Sequence, residues 1–225
     1  MTDRERITAY IDSLDPGHGE LCDEIAREAR EQGVPVVRRE TASFLETLVA
    51  AFQPLQILEI GTAVGYSALL MAQVMPARGH ITTIENYEPR IRKARENLAR
   101  AGQEERITLL EGDATRHLEG LSGPYDLIFV DGAKGQYIHW LPRILELLAP
   151  GGLLVSDNVL QDGDILASRF AVERRNRTIH ARMREYLYTL KHTPGLITSI
   201  LPVGDGVTVS VKEKLPSGRP DGYDR

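Results

Sequence analysis

The 225-residue sequence contains few cysteines, few aromatic residues and no long apolar run. Cys22 is its one cysteine and cannot form an intramolecular disulfide, and a zinc site built from thiolates alone needs several. No apolar stretch approaches the roughly 20 residues that cross a bilayer, and the opening residues do not resemble an export signal. We therefore expect a cytoplasmic protein with no membrane partner.

Acidic residues outnumber basic ones by 32 to 27, which gives a net charge of −5. This balance argues against a protein that coats DNA or another nucleic acid. The segment from Arg169 to Lys191, here called the basic segment, contains seven Lys and Arg against two Glu. Such a segment can bind phosphates or can be a solvated helix face.

The order of apolar runs and helical stretches predicts a doubly wound α/β fold with a mostly parallel sheet. Helices are predicted at 4–14, 20–32, 41–52, 66–74, 89–101, 137–148 and 171–192. Strands are predicted at 56–60, 80–85, 107–111, 127–130 and 153–156, with a closing antiparallel hairpin at 197–202 and 207–211. Residues 1–213 form one predicted domain, with a helical cap at 1–53, a core at 54–213 and a disordered tail at 214–225.

A glycine-containing turn follows the first predicted strand, in the sequence Glu59-Ile-Gly61-Thr-Ala-Val-Gly65-Tyr-Ser67. Glycine lets the backbone turn tightly and approach a ligand, which predicts a nucleotide-like cofactor. Ala63 stands where a dinucleotide fingerprint needs its second glycine, so phosphate binding is disfavoured. Glu85 ends the second strand and is placed to bind ribose hydroxyls, and Asp113 follows the third strand, where it can accept from an adenine amino group.

Oxygen-bearing side chains follow the fourth and fifth predicted strands. Asp131 comes after the fourth strand, and Asp157 with Asn158 comes after the fifth. Neighbouring parallel strands bring such residues to one edge of the sheet, and two carboxylates with an amide oxygen suit a hard divalent cation, Mg²⁺ or Mn²⁺. Lys134 lies three residues beyond Asp131.

Four motifs then stand together: LEIGTAVGYS at 58–67, GDA at 112–114, FVDGAK at 129–134 and SDNV at 156–159. They resemble the cation-dependent O-methyltransferases that use S-adenosylmethionine, the catechol and caffeoyl-CoA type. The resemblance covers about residues 30–212 and implies a seven-stranded, Rossmann-like methyltransferase fold.

The resemblance also implies roles for individual residues. The methionine part of the cofactor would lie among Glu59, Gly61, Gly65 and Ser67, beneath an apolar cover at Val37. The same resemblance gives Glu85 to the ribose and Asp113 with Ala114 to the adenine. Asp131 would contact the cofactor as well as the metal, which it shares with Asp157 and Asn158, and Lys134 would be the general base.

Within this family, KGQY at 134–137, the basic segment and PVGDG at 202–206 look most like the bacterial tRNA 5-hydroxyuridine methyltransferases. This implies conversion of 5-hydroxyuridine to 5-methoxyuridine at the wobble position, with the tRNA anticodon loop as partner and a homodimer. Arg169, Arg174, Arg175 and Arg177 are the expected RNA contacts.

Several alternatives remain open from the sequence. Methylation of a small catechol-like phenol or a coenzyme A-linked phenol fits the same metal site, and the arginines would then bind coenzyme A phosphates or solvent. A non-catalytic RNA-binding protein that holds the cofactor as a structural ligand is a second alternative, and a nicotinamide oxidoreductase is a third.

Overall fold

A computed structural model describes residues 3–168 and 172–214 of the chain. They form one seven-stranded sheet in the order β3-β2-β1-β4-β5-β7-β6, in which β1 to β5 are parallel and β7 is antiparallel to both neighbours. The strands are β1 (Gln56–Ile60), β2 (His80–Glu85), β3 (Ile107–Glu111), β4 (Tyr125–Val130), β5 (Leu148–Ser156), β6 (Leu196–Leu201) and β7 (Val207–Lys212). The predicted fold class and the closing hairpin are therefore confirmed.

Helices surround the sheet and supply the apolar residues that cover it. They are α1 (Asp3–Leu14), α2 (Glu20–Glu31), α3 (Arg39–Phe52), α4 (Tyr66–Val74), α5 (Glu88–Arg100), α6 (Ala114–Gly120), α7 (Tyr137–Leu147) and α8 (Arg177–His192). Short 3-10 turns occupy Lys134–Gln136, Gln161–Leu166 and Arg174–Asn176. Since β1 and β4 are buried on both faces, their apolar residues form near-continuous runs instead of alternating.

The core lies in two layers, one on each face of the sheet. One layer packs α2, α3 and α4 against the sheet, with Leu45 and Leu70 fully buried. The other packs α7 and α8, with Ile144 and Tyr186 fully buried. Because α2 and α3 share a core with the strands, they fix the segment that precedes α3, where Val37 is buried beside the sheet edge.

Two element boundaries differ most from the sequence prediction. The last long helix begins at Arg177 instead of residue 171, since Asn176 is its N-terminal cap residue and Arg174–Asn176 is a 3-10 turn. Strand β5 begins at Leu148, which pairs with Tyr125 before the register shifts. The Pro-Gly-Gly that follows had indicated a helix end followed by a loop, but it lies within the strand.

Helix α6 was not predicted, because its seven residues are too short for a periodic apolar pattern. The tail is described only to residue 214, so its predicted disorder lies outside the described residues, and the domain limits stay predictions. None of the helices in the described part of the chain is long and apolar enough to cross a membrane.

Candidate active site

A cavity of about 720 Å³ opens at the carboxyl ends of the parallel strands. This volume is typical of sites for drug-sized or cofactor-sized ligands. Nine of the residues predicted to form the site line it: Val37, Gly61, Ser67, Glu85, Asp113, Ala114, Asp131, Lys134 and Asn158. The other three, Glu59, Gly65 and Asp157, are not among the lining residues.

Gly61 is required by the packing of the protein itself. Its φ is +96°, and a Cβ there would lie 2.5 Å from the carbonyl oxygen of Asp131. At Gly65 a Cβ would meet Ala94, at 3.7 Å. Packing against the end of β4 therefore requires glycine at position 61 with or without a ligand, and the φ of +84° favours glycine at position 65. That these glycines also make room for a ligand stays a prediction.

Glu85 braces the two loops that form the middle of the cavity. Its Oε2 accepts from the Ala63 N–H at 2.9 Å, and its Oε1 accepts from the N–H groups of Asn86 and Tyr87 at 2.9 and 3.0 Å. Ala63 has a φ of +49°, a conformation that costs a residue with a Cβ about 1 kcal/mol or more. The Glu85 carboxylate offsets part of this cost and holds the turn in place.

Glu59 is fully buried beneath the same turn. Its Oε2 accepts from the Thr83 hydroxyl at 2.5 Å, whereas Oε1 has no hydrogen-bond partner among the described residues. Burial raises the pKa of Glu59, and the nearby hydroxyls of Ser67, Thr62 and Thr83 oppose that rise. A buried acid with one oxygen that lacks a partner among the described residues fits a cationic group placed at this end of the cavity.

At the far end, Asp113 is the N-terminal cap of α6. Its Oδ1 accepts from the N–H groups of Thr115 and Arg116, at 2.9 and 3.3 Å. The Trp140 indole donates to Thr115 Oγ1 at 3.1 Å, and its ring forms part of the cavity wall. Trp140 is a buried side chain that also faces the cavity.

Strands β4 and β5 bring the predicted metal ligands together. Val130 and Ser156 are paired residues in the sheet, so Asp131 and Asp157 leave it side by side. The Asp157 Oδ1 accepts from the Asn158 N–H at 2.7 Å, while the buried Oδ2 has no partner among the described residues. Asn158 has a φ of +57°, which asparagine tolerates better than most residues.

The electrostatics of this corner favour a bound cation. Burial raises the pKa of Asp157 to about 6, and the charge of Asp205 adds to the rise. Burial also raises the pKa of Asp131 well above its ordinary value, as do the charges of Asp157 and Glu59. The described residues contain no group of three or more His, Cys, Asp and Glu that can hold a metal. The candidate donor set is the predicted one, two carboxylates and the Asn158 amide. This set fits Mg²⁺ or Mn²⁺.

Comparison with known proteins agrees with this geometry. A family model described as "O-methyltransferase" matches residues 17–213. The chain belongs to the O-methyltransferase family. A catechol O-methyltransferase from Niastella koreensis is 34% identical over 72% of this chain and 76% of its own length. Caffeoyl-CoA O-methyltransferase 2 from Populus trichocarpa is 34% identical over 76% of this chain and 72% of its own.

A solved structure extends the comparison to the cofactor. The SAH-bound Podospora anserina methyltransferase PaMTH1 is 28% identical, with a TM-score of 0.84 over 94% of this chain and 95% of its own. The chain is thus an S-adenosylmethionine-dependent O-methyltransferase. The two alternatives outside methyl transfer, a non-catalytic RNA-binding protein and an oxidoreductase, are set aside.

Part of the basic segment of this methyltransferase has structural contacts. The Arg177 Nε donates to the Val172 carbonyl at 3.2 Å, and the Arg175 Nε donates to Glu173 at 2.7 Å. Arg182 and Arg184 donate to main-chain carbonyls of other segments. Arg174 and Arg175 are exposed, whereas Arg169 lies outside the described residues. The basic segment is therefore not a uniform free surface.

Two charged pairs at the cavity mouth were not found by sequence reasoning. The Lys134 ammonium lies 3.7 Å from Asp205 Oδ2, and Arg38 forms an ion pair of 2.5 Å with Asp162. Lys134 and Asp205 are 71 residues apart in sequence, and Arg38 and Asp162 are 124 apart. A local sequence pattern therefore does not predict either pair. The PVGDG motif was the one signal that drew attention to Asp205.

Proposed function

We propose that the enzyme is a divalent-metal-dependent O-methyltransferase whose acceptor is a small phenol with a second oxygen beside the reactive hydroxyl. A catechol-type ring, free or linked to coenzyme A, has this arrangement. The observation that carries the proposal is the pair of carboxylates at the paired ends of β4 and β5, the buried Asp157 and the partly exposed Asp131. The Lys134 ammonium lines the same cavity.

The lining of the cavity supports a cofactor placement along its length. The methionine ammonium would lie near the Glu59 carboxylate, whose Oε1 has no partner among the described residues, and beside Ser67. The ribose would meet Glu85, and the adenine would lie between Asp113 and the Trp140 ring. Val37, which is buried before α3, would cover the cofactor on its outer side.

The acceptor end would hold a divalent cation on Asp131, Asp157 and Asn158. When bound, the cation supplies Lewis-acid stabilisation of the deprotonated hydroxyl. Lys134 faces the position of that hydroxyl, where it takes the proton when neutral or steadies the negative oxygen when charged. The protein otherwise aligns the oxygen with the methyl group, because methyl transfer is an in-line displacement.

The names of the relatives favour a phenol over tRNA. Three arginines of the basic segment, Arg177, Arg182 and Arg184, contact their own chain, which leaves less basic surface for an anticodon loop. 5-Hydroxyuridine presents a comparable pair of oxygens, so the wobble-uridine hypothesis stays a prediction that the same assay tests.

The assay incubates the enzyme with S-adenosylmethionine and Mg²⁺ and offers catechol, caffeoyl-CoA or tRNA that contains 5-hydroxyuridine. Methylated products are measured by mass spectrometry, with an EDTA control for each acceptor. We expect methyl ethers from one of the phenols, and only with metal present. Formation of 5-methoxyuridine alone, suppressed steeply by added salt, would replace the phenol proposal with the tRNA one.

A further inference from the structure

We propose that Asp205 is a positioning residue that holds the Lys134 ammonium at the acceptor end of the cavity. The inference rests on the proposed function, in which Lys134 faces the acceptor hydroxyl. It adds to that function a residue from the last hairpin, far in sequence from the metal-ligand candidates.

The Asp205 carboxylate is held in a fixed place. It lies in the turn between β6 and β7, and its side chain is 4% exposed. The turn is pressed against the loop that follows β5, since a Cβ on Gly206 would lie 2.3 Å from Leu160 Cγ. Such close approach leaves the turn little freedom to move.

Hydrogen bonds join the same turn to the loop. The Leu160 N–H donates to the Asp205 carbonyl, and the Val159 N–H donates to the Gly206 carbonyl, both at 3.0 Å. The Asp162 N–H donates to Asp205 Oδ1. One carboxylate oxygen is thus committed to the loop that begins directly after Asn158, and the other oxygen remains for Lys134.

The distance and burial fit an ion pair between that second oxygen and Lys134. Asp205 Oδ2 lies 3.7 Å from the Lys134 ammonium, whose side chain is 35% exposed. Lysine has a flexible four-carbon stem, so an unanchored ammonium samples many positions. A buried, hydrogen-bonded carboxylate reduces that freedom and interacts more strongly than an exposed one.

The main chain of the lysine is held as well. The Arg182 guanidinium on α8 donates to the Gly135 carbonyl at 3.1 Å, within the 3-10 turn that begins at Lys134. Arg182 therefore fixes where the side chain starts and Asp205 fixes where it ends. An arginine of the basic segment thus contacts the turn that carries Lys134.

A metal-ligand role for Asp205 is a separate possibility that the geometry does not favour. Asp205, Asp131 and Asp157 do not form a metal-binding cluster among the described residues. The one ion pair that Asp205 makes there is with Lys134.

A double-mutant cycle with Lys134→Ala tests the proposal. Asp205→Asn keeps an oxygen that can accept from the Asp162 N–H but removes the charge opposite Lys134. We expect kcat to fall at least about tenfold, within the range of general acid–base contributions, with the acceptor KM changed less than about threefold. In the Lys134→Ala background the same substitution should change kcat less than about twofold, because the residue acts through the lysine.

Asp164→Asn is the matched control. Asp164 is an exposed carboxylate of the same loop and does not line the cavity, so its removal changes charge alone. Asp205→Ala removes the anchor of the loop as well as the charge. If the alanine variant loses activity and the asparagine variant keeps it, Asp205 is a structural anchor and the proposal is wrong.

A second measurement does not depend on activity. The rate at which acetic anhydride labels Lys134 is followed by peptide mass spectrometry, with Lys93 as an internal reference. We expect labelling in Asp205→Asn to be at least about threefold faster, because an amine released from an ion pair is more available. Unchanged labelling overturns the proposal even when methyl transfer is observed. Faster labelling in a protein that methylates no phenol would sustain the ion pair and reject the proposed function.

Discussion

The two ends of the cavity satisfy their polar groups in different ways. At the cofactor end, the Glu85 carboxylate accepts from three main-chain N–H groups, and Asp113 caps a helix. At the acceptor end, Asp157 has a buried oxygen without a partner, and the pKa values of Asp131 and Asp157 are both raised. The Glu85 and Asp113 carboxylates are thus satisfied within the protein, whereas Asp157 at the acceptor end keeps an oxygen without a partner among the described residues.

The contrast shows where the fold gives up stability for function. Buried acids without partners lower stability, and they persist where a bound group compensates them. We therefore expect substitutions at the acceptor end to reduce catalysis and to stabilise the metal-free fold. Substitutions at the cofactor end should reduce cofactor affinity and destabilise the fold.

Asp157→Ala should have the largest effect. Losing a ligand of the metal should lower kcat/KM for the preferred phenol at least about a thousandfold, or about 4 kcal/mol of transition-state stabilisation. Steady-state kinetics at saturating Mg²⁺ measure the loss. The affinity for S-adenosylmethionine, measured by calorimetry, should stay within about threefold, and a parallel loss of that affinity would erase the difference between the two ends.

Asp157→Asn should stabilise the metal-free protein in a pH-dependent way. Burial raises the folded-state pKa of Asp157 from 3.8 to about 6, so the folded state binds this proton more tightly than the unfolded state does. The charged group therefore costs stability that grows as pH rises from about 4 through 6, up to about 3 kcal/mol.

Thermal unfolding in EDTA across that pH range checks this expectation. The Tm advantage of Asp157→Asn over the unsubstituted protein should be largest near pH 8 and should shrink toward pH 4. An advantage that is independent of pH would mean that the carboxylate is not the cause.

Glu85→Gln should weaken cofactor binding more than acceptor binding. Only one of the two terminal atoms of a glutamine amide is an acceptor oxygen. The NH₂ group must therefore face the N–H of Ala63 or the N–H groups of Asn86 and Tyr87, and those hydrogen bonds are lost. We expect the Kd for S-adenosylmethionine to rise about tenfold, which corresponds to about 1.4 kcal/mol. Mn²⁺ binding in the same variant is the control and should not change.

Ala63→Gly should have the smallest effect. Unlike the loss of a carboxylate at the cofactor end, it should raise the free energy of unfolding. Glycine adopts the observed φ of +49° without strain, although it adds entropy to the unfolded chain. The net gain should be about 0.5 to 1 kcal/mol in the free energy of unfolding, measured by urea denaturation. A loss of stability would show that the Glu85 contact does not hold Ala63 in a strained conformation.

Much of the fold followed from local patterns. The bounds of β1, β2, β3 and α4 are as predicted, because each is a short segment that ends at or next to a glycine, a proline or a charged residue. Strand β5 was predicted too short because its first residues are defined by pairing with Tyr125, a contact that no local pattern contains.

The candidate site also contains residues that local sequence predicts and residues that only tertiary packing brings together. Asp131, Asp157 and Asn158 were found because each directly follows a strand, and neighbouring strands share an edge. Asp205 and Arg38 were not found as site residues, because their partners lie elsewhere in the sequence and meet them only after the hairpin and the cap have packed. Gly61 was predicted from its place after a strand, whereas the clash with the end of β4 that also requires glycine there was not predicted.

The most direct test of the account is a Mn²⁺ titration followed by electron paramagnetic resonance. The unsubstituted enzyme should bind Mn²⁺ at a single site per chain, and Asp157→Ala should bind none at the same concentrations. Addition of the phenol that the enzyme methylates should change the spectrum of the bound Mn²⁺. Equal binding by both proteins, or methyl transfer that continues undiminished in EDTA, would contradict a metal centre at the ends of β4 and β5.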